Sequence, residues 1–180
     1  MVRRWFNTPE QFAQQLREGH FNELRVALYF MLQGAHVRLG YNGYAYDLSV
    51  IDATGRRFTV EVKWDKRAEE TGNLYFEVMN TRQRVASGIE VTRADYWCHV
   101  IGEKGEEAFL APVSSLRSFL RRGEFQRIPT RGVDSNSLGL LVPRAHLQRV
   151  DWGEWITLPT VEAFFGTLFR AAMVSNRIRE

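Results

Sequence analysis

Three residues of this 180-residue chain have the types and spacing to work on a phosphate ester: Asp47, Glu61 and Lys63. Asp47 and Glu61 lie in two β-rich runs on either side of Ala53-Thr54-Gly55, and Lys63 follows Glu61 by two positions. A three-residue hairpin loop with glycine in the left-handed position suits that connection. It pairs Asp52 with Arg56, and the register that follows sets Val50 against Phe58, Leu48 against Val60 and Tyr46 against Val62 on one apolar face. On the other face Ser49 meets Thr59, Asp47 meets Glu61 and Ala45 meets Lys63. Facing carboxylates with Cβ atoms about 4.5–5.5 Å apart repel each other. A divalent cation relieves the repulsion, and magnesium is commonly held by one or two carboxylates together with water and substrate phosphate. Lys63, two residues beyond Glu61, points to the same face. There it is placed to stabilise phosphate charge, or to orient and deprotonate an attacking water. The same pattern also fits a solvated hairpin that carries two acids and a lysine on its wet side.

The elements around this hairpin follow from periodicity and punctuation. Thr8-Pro9-Glu10 opens a short helix to about Glu18, and a second helix follows Gly19 from His20 to Gln33. Short strands are expected over Val37–Gly40, Tyr44–Ile51, Phe58–Trp64, Asn73–Val78, Tyr96–Ile101 and Ala108–Ala111. Helices are expected near Val113–Arg122, Arg144–Gln148 and Thr160–Ala172, and a loop over Thr130–Gly139. The order predicts a single α/β or α+β domain over residues 1–180, with a core at about 20–112 and a C-terminal extension from 113. In the second helix Glu23 lies beside Ala27 and Phe30 on a largely apolar surface. None of its helical neighbours (Gly19, His20, Val26, Ala27) is a fixed cation, so a buried Glu23 needs a distant partner such as Lys63 or a metal-bound water. An exposed glutamate near a helix start is the other reading.

Composition narrows the class. Hydrophobic residues make up 44% and charged residues 25%, as in soluble globular domains. No apolar run approaches the roughly 20 residues of a membrane span, and Met1-Val2-Arg3-Arg4-Trp5 makes a poor signal peptide. Cys98 is the only cysteine, which excludes an internal disulfide and a cysteine zinc cluster and suits a reducing cytoplasm. His20, His36, His99 and His146 show no zinc spacing, and no Gly-rich phosphate loop is present. The net charge of +3 is compatible with a polyanionic partner. Against many arginines there are only three lysines, Lys63, Lys66 and Lys104. Each is informative, because a compact ammonium is not interchangeable with a planar guanidinium.

Tyr46-Asp47, thirteen intervening residues and then Glu61-Val62-Lys63 resemble the PD-(D/E)xK motif of the restriction-endonuclease-like nuclease superfamily, with Tyr46 in the place of the motif proline. Glu23 matches the additional helical acid that many members carry. Gly72-Asn73-Leu74-Tyr75-Phe76-Glu77-Val78, Ala86-Ser87-Gly88-Ile89 and Thr92-Arg93-Ala94-Asp95-Tyr96-Trp97 resemble small phage-encoded nucleases of that superfamily, whose relatives include Holliday junction resolvases. The resemblance spans about Phe21 to Ile101. It implies an αβββαβ core with a mixed central sheet flanked by helices, and hydrolysis of DNA with Mg2+, for which Mn2+ substitutes. It also implies Asp47, Glu61 and Val62 as metal ligands, and Glu23, Asp47, Glu61 and Lys63 as the catalytic set.

Lys66, Arg82, Arg84 and Ser87 are the preferred DNA contacts, with Arg67, Arg117, Arg121 and Arg122 as further phosphate candidates. The expected activity is a structure-selective, resolvase-like endonuclease of recombination, repair or phage DNA processing. Two symmetric cuts then call for a homodimer. A sequence-specific restriction or homing endonuclease, and a nucleic-acid-binding module without catalysis, are the alternative readings.

Overall fold

The computed structural model describes residues 9–40, 45–129 and 136–160, together with 163 and 166. The chain opens with α1 (Pro9–Leu32), followed by β1 (His36–Leu39), β2 (Leu48–Ile51) and β3 (Arg57–Asp65). The short α2 (Ala68–Thr71), β4 (Asn73–Asn80), β5 (Val85–Ala86) and a 3-10 turn at Gly88–Glu90 come next. After them run β6 (Tyr96–Ile101), β7 (Glu107–Pro112), α3 (Val113–Arg122), β8 (Gln126–Pro129), β9 (Ser137–Pro143), α4 (Arg144–Leu147) and β10 (Glu154–Thr157).

Two sheets result. The larger has the order β1-β2-β3-β6-β7-β10, with β3 and β6 parallel and the other neighbours antiparallel. The smaller has the order β5-β4-β9-β8. The α/β expectation of a mixed central sheet flanked by helices therefore holds. Val26, Ala27 and Phe30 of α1 pack on Leu48, Val50, Val60, Val62, Cys98 and Val100, which cover one face of the large sheet. On its other face Trp97, Phe109 and Ala111 meet Leu74, Phe76, Leu140 and Val142 of the small sheet and Leu116 of α3. The molecule is thus layered as helix, sheet, then sheet with helix, and each face of the large sheet has its own apolar core.

Several expectations change. The two helices expected on either side of Gly19 are one, because apolar packing of the second half outweighs the small helix cost of a single glycine. The helix that an αβββαβ order puts after the third strand is here only the one-turn α2, which stops at Gly72 with a left-handed φ of 65°, and the strand expected at Asn73–Val78 follows as β4. Part of the expected Thr130–Gly139 loop is the start of β9. Residues 130–135 and most of the expected Thr160–Ala172 helix lie outside the described residues, as does Thr8. Within the C-terminal extension, β10 completes the large sheet by pairing with β7.

Arg25, buried at 2% exposure, ties α1 to that edge. Its guanidinium donates to the carbonyls of Pro159 at 2.9 Å and Lys104 at 2.7 Å. Among the described residues no helix is long and apolar enough to cross a membrane.

Candidate active site

The β2–β3 hairpin forms as its residues require. Leu48 pairs with Val60, Ser49 with Thr59 and Val50 with Phe58. Gly55 takes a φ of 85° and donates to Asp52 O at 2.9 Å, while Asp52 N donates to Arg56 O at 3.0 Å. The Asp52 carboxylate braces the turn further by accepting from Thr54 N, Thr54 Oγ1 and Arg56 N. Leu48, Val50 and Val60 are fully buried beneath α1. Glu61, Lys63 and Asp65 therefore point to the opposite face, in register with Trp97, His99 and Ile101 of β6.

The ladder stops one residue short of Asp47, and here the expected geometry is corrected. Asp47 and Glu61 are not a facing strand pair, nor are Tyr46 with Val62 or Ala45 with Lys63. Residues 45–47 form a bend, in which Asp47 N donates to Val60 O at 3.0 Å and Gly40 N donates to Asp47 O at 2.6 Å. That close approach needs glycine, since a Cβ on Gly40 would stand 2.7 Å from Tyr46 O. The side chain recovers what the register loses. Asp47 Oδ2 accepts from the Val62 amide at 2.7 Å, which is the peptide joining Glu61 to Val62. Val62 itself is an apolar core residue, so it has only main-chain atoms to offer a ligand.

The charges of this cluster act on one another. Burial pushes the Asp47 carboxyl up to about 6; Lys63 and the Val62 amide oppose the rise, and the charges of Glu61 and Glu23 add to it. Lys63 Nζ lies 2.5 Å from Glu61 Oε1. Burial disfavours its ammonium, yet Glu61, Asp47 and Glu23 together hold it above the ordinary lysine range. A lysine kept charged in this way suits phosphate stabilisation and water orientation, and does not suit proton abstraction. Its side chain is 44% exposed, so the cluster is open to an incoming substrate. Glu61 and Glu23 are each 16% exposed. Glu23 lies 3.1 Å from His20 Nδ1, so its nearest partner is local, while its charge is felt at Asp47 and Lys63.

The remaining expected residues separate into two groups. Arg82 and Arg84 are exposed on the turn between β4 and β5, where Arg84 has a φ of 56°. Lys66 Nζ lies over the Trp64 ring at 4.2 Å. Ser87 Oγ is directed to Glu77 Oε1 at 2.5 Å. Of the further phosphate candidates, Arg117 is drawn into internal ties, while Arg121 remains exposed beside Glu90. Arg117 donates to the carbonyls of Ile89 and Thr92, both at 2.6 Å, and Arg121 pairs with Glu90 at 2.7 Å.

Sequence reasoning missed two further features. Thr92 Oγ1 donates to Glu61 Oε2 at 3.3 Å. His99, at 1% exposure, accepts from Trp97 Nε1 at 3.2 Å and turns Nε2 to Asp65 at 3.5 Å. Burial raises the Asp65 carboxyl, but His99 and the amides of Tyr75 and Arg67 outweigh it and hold the group below its ordinary range. A search for zinc spacing or a nucleophile partner passes over His99, because its partner Asp65 comes from a different strand.

Among the described residues no three His, Cys, Asp or Glu side chains are grouped to hold a metal ion. The open cleft of 720 Å³ between α3, β8 and β9 is lined by Phe119, Arg122, Phe125 and His146, and none of the acid–lysine residues borders it.

No family model and no curated protein matches the chain. Among solved structures it is similar to the bacterial homing endonuclease I-Ssp6803I, at 20% identity and a TM-score of 0.43, over 63% of this chain and 71% of that one. A likeness this distant carries no weight for the chemistry.

Proposed function

We propose that the chain is a Mg2+-dependent endonuclease that hydrolyses the phosphodiester backbone of DNA, with Asp47, Glu61 and Lys63 at the reaction centre. One observation carries the reading: two acids and a solvent-reachable ammonium share one electrostatic field, in which burial, with the charges of Glu61 and Glu23 adding to it, raises the Asp47 carboxyl to about 6 against the pull of Lys63. Groups arranged at the expense of stability are characteristic of functional sites.

The donor set fits magnesium in kind. Asp47 Oδ1 takes no hydrogen bond among the described residues and Glu61 supplies a second hard oxygen, while the Val62 amide donates to Asp47, so any ligand from Val62 would be its carbonyl oxygen. Two carboxylates suffice, because water and substrate phosphate commonly complete the shell. When bound, the ion supplies Lewis-acid stabilisation of the phosphate charge. Asp47 and Glu61 would hold the ion with two carboxylate oxygens, one from the bend before β2 and one from β3. Lys63 offers its ammonium to a non-bridging phosphate oxygen or to the attacking water, as a charged donor that needs no proton transfer. Glu23 adds negative charge that a cation relieves. Arg82, Arg84 and Lys66 supply cations for the flanking backbone.

The test is cleavage of four-way junction, flap, single-stranded and linear duplex DNA, with Mg2+ and with EDTA, by the wild type, Asp47→Ala and Lys63→Ala. Metal-dependent cutting that both variants lose supports the proposal. Preference for the junction favours the resolvase-like form, whose paired cuts call for a homodimer. Fixed sites on linear duplex favour the sequence-specific form. Binding without cutting by the wild type leaves only the binding module and overturns the enzymatic reading.

A further inference from the structure

The segment between β5 and β6 is held more firmly than a connecting loop requires, and its end touches the reaction centre. It begins at Gly88, whose φ of 54° is left-handed and where a Cβ would stand 2.4 Å from Glu77 O. Only glycine lets the turn lie this close on β4. Four residues later, every polar group of Thr92 is engaged. Its amide donates to Gly88 O at 3.1 Å, and its carbonyl accepts from Arg117 Nη2 at 2.6 Å. Its hydroxyl accepts from the Ala94 amide at 3.2 Å and gives its own hydrogen to Glu61 Oε2 at 3.3 Å. With the acceptor side of the hydroxyl occupied by Ala94, the hydrogen is aimed at Glu61.

The Glu61 carboxylate is thereby held at both oxygens: Lys63 at Oε1 and Thr92 at Oε2. Lys63 alone would leave it free to swing about one contact, since the lysine side chain is long and 44% exposed. Thr92 removes that freedom, and its own position is set from α3, where one Arg117 guanidinium grips the carbonyls of Ile89 and Thr92. We infer that Thr92 and Arg117 are positioning residues that orient the Glu61 carboxylate for a divalent cation. The inference rests on the nuclease reading for the identity of the ligand, and its chemistry is that of an outer-shell partner, which fixes a ligand without touching the ion.

The first measurement is wild-type cleavage with and without Mg2+; failure there overturns the nuclease reading itself. The decisive measurement uses no DNA: calorimetric titration of the intact protein with Mg2+ alone, and the Mg2+-dependent rise in Tm. Thr92→Val keeps the shape and removes the hydroxyl, and it is expected to weaken Mg2+ binding by about 10–100-fold, the range found for outer-shell partners. The half-saturating Mg2+ for cleavage should rise in parallel, with little change in the rate at saturating metal. Thr92→Ser restores the donor and should recover wild-type affinity. Arg117→Met should show the same loss of affinity on a protein of lower Tm. Wild-type Mg2+ affinity in Thr92→Val, or a loss that Thr92→Ser shares, overturns the inference while leaving the cleavage result standing.

Discussion

The burial of Asp47 among other acids can be measured as stability. Its carboxyl rises from an ordinary 3.8 to about 6, so the folded chain holds the proton more tightly than the unfolded chain does. One pKa unit corresponds to about 1.4 kcal/mol, which makes the ionised form about 3 kcal/mol less favourable in the folded state. Partial solvent access lowers that to roughly 1–3 kcal/mol. Asp47→Asn removes the charge and keeps an oxygen for the Val62 amide, which donates at 2.7 Å. In EDTA at pH 8 the variant is therefore expected to be more stable than the wild type, by roughly 3–10 °C in Tm for a chain of this size.

The sign with pH follows from the same shift. A raised carboxyl contributes stability below its unfolded value and loses it as pH climbs through the folded value. The advantage of asparagine should therefore shrink between pH 6 and pH 4 and vanish below that. Thermal melts followed by circular dichroism at pH 8 and pH 4, with cleavage assayed on the same preparations, separate the outcomes. An asparagine variant that is less stable at pH 8, or whose advantage does not depend on pH, refutes the account of an acid held buried beside other acids. A more stable protein that no longer cuts DNA is the expected result, and it is the usual exchange of stability for a working site.

Three other outcomes are expected. Lys63→Met removes the cation that Asp47, Glu61 and Glu23 share; cleavage should fall on the order of a thousandfold, Lys63→Arg should not restore it, and the metal-free melting temperature at pH 8 should drop. Arg82→Glu with Arg84→Glu should weaken DNA binding without altering the metal-free melt. The same pair should reduce the salt dependence by about one unit of slope for each phosphate that an arginine neutralises, read by titration at several salt concentrations. Asp65→Asn should destabilise the protein at neutral pH, because the Asp65 carboxyl lies below its ordinary range. That stability is present above the unfolded value and is lost as pH falls through the folded one, so the melts of variant and wild type should converge in acid.

The legible part of the fold was the part governed by alternation. Two β-rich runs around a glycine turn left one register that separates apolar from polar residues, and the pairs from Leu48–Val60 to Val50–Phe58 follow it. The α3 helix keeps its expected Val113–Arg122 limits. Legibility ended where the backbone leaves its lattice. The slip at Asp47 depends on Gly40 closing against Tyr46, an approach of separate segments that no periodicity encodes. The strands β8 and β10 are four residues each, too short to show alternation, and β9 contains a glycine over which Tyr75 packs. Of the candidate site, the acids and the lysine were visible as residue types at a spacing. Thr92, Arg117 and His99 were not, because each matters through a partner on another element.

That division explains how the site tolerates its own repulsion. The face of β3 carries Glu61, Lys63 and Asp65 at alternate positions, and the two acids are restrained from different directions. Thr92 reaches Glu61 from the segment after β5, Asp47 arrives from the bend before β2, and Asp65 is held by His99 of β6 and the Tyr75 amide of β4. A charge cluster left to itself would relax by turning its side chains into water. Here the strand is parallel to β6 on one side, paired with β2 on the other, and buried through Val60 and Val62 beneath α1. Glu61 and Asp65 are consequently held on that face by partners from neighbouring elements. The apolar side of β3 supplies the stability, and the polar side keeps its electrostatic strain available for whatever cation or phosphate relieves it.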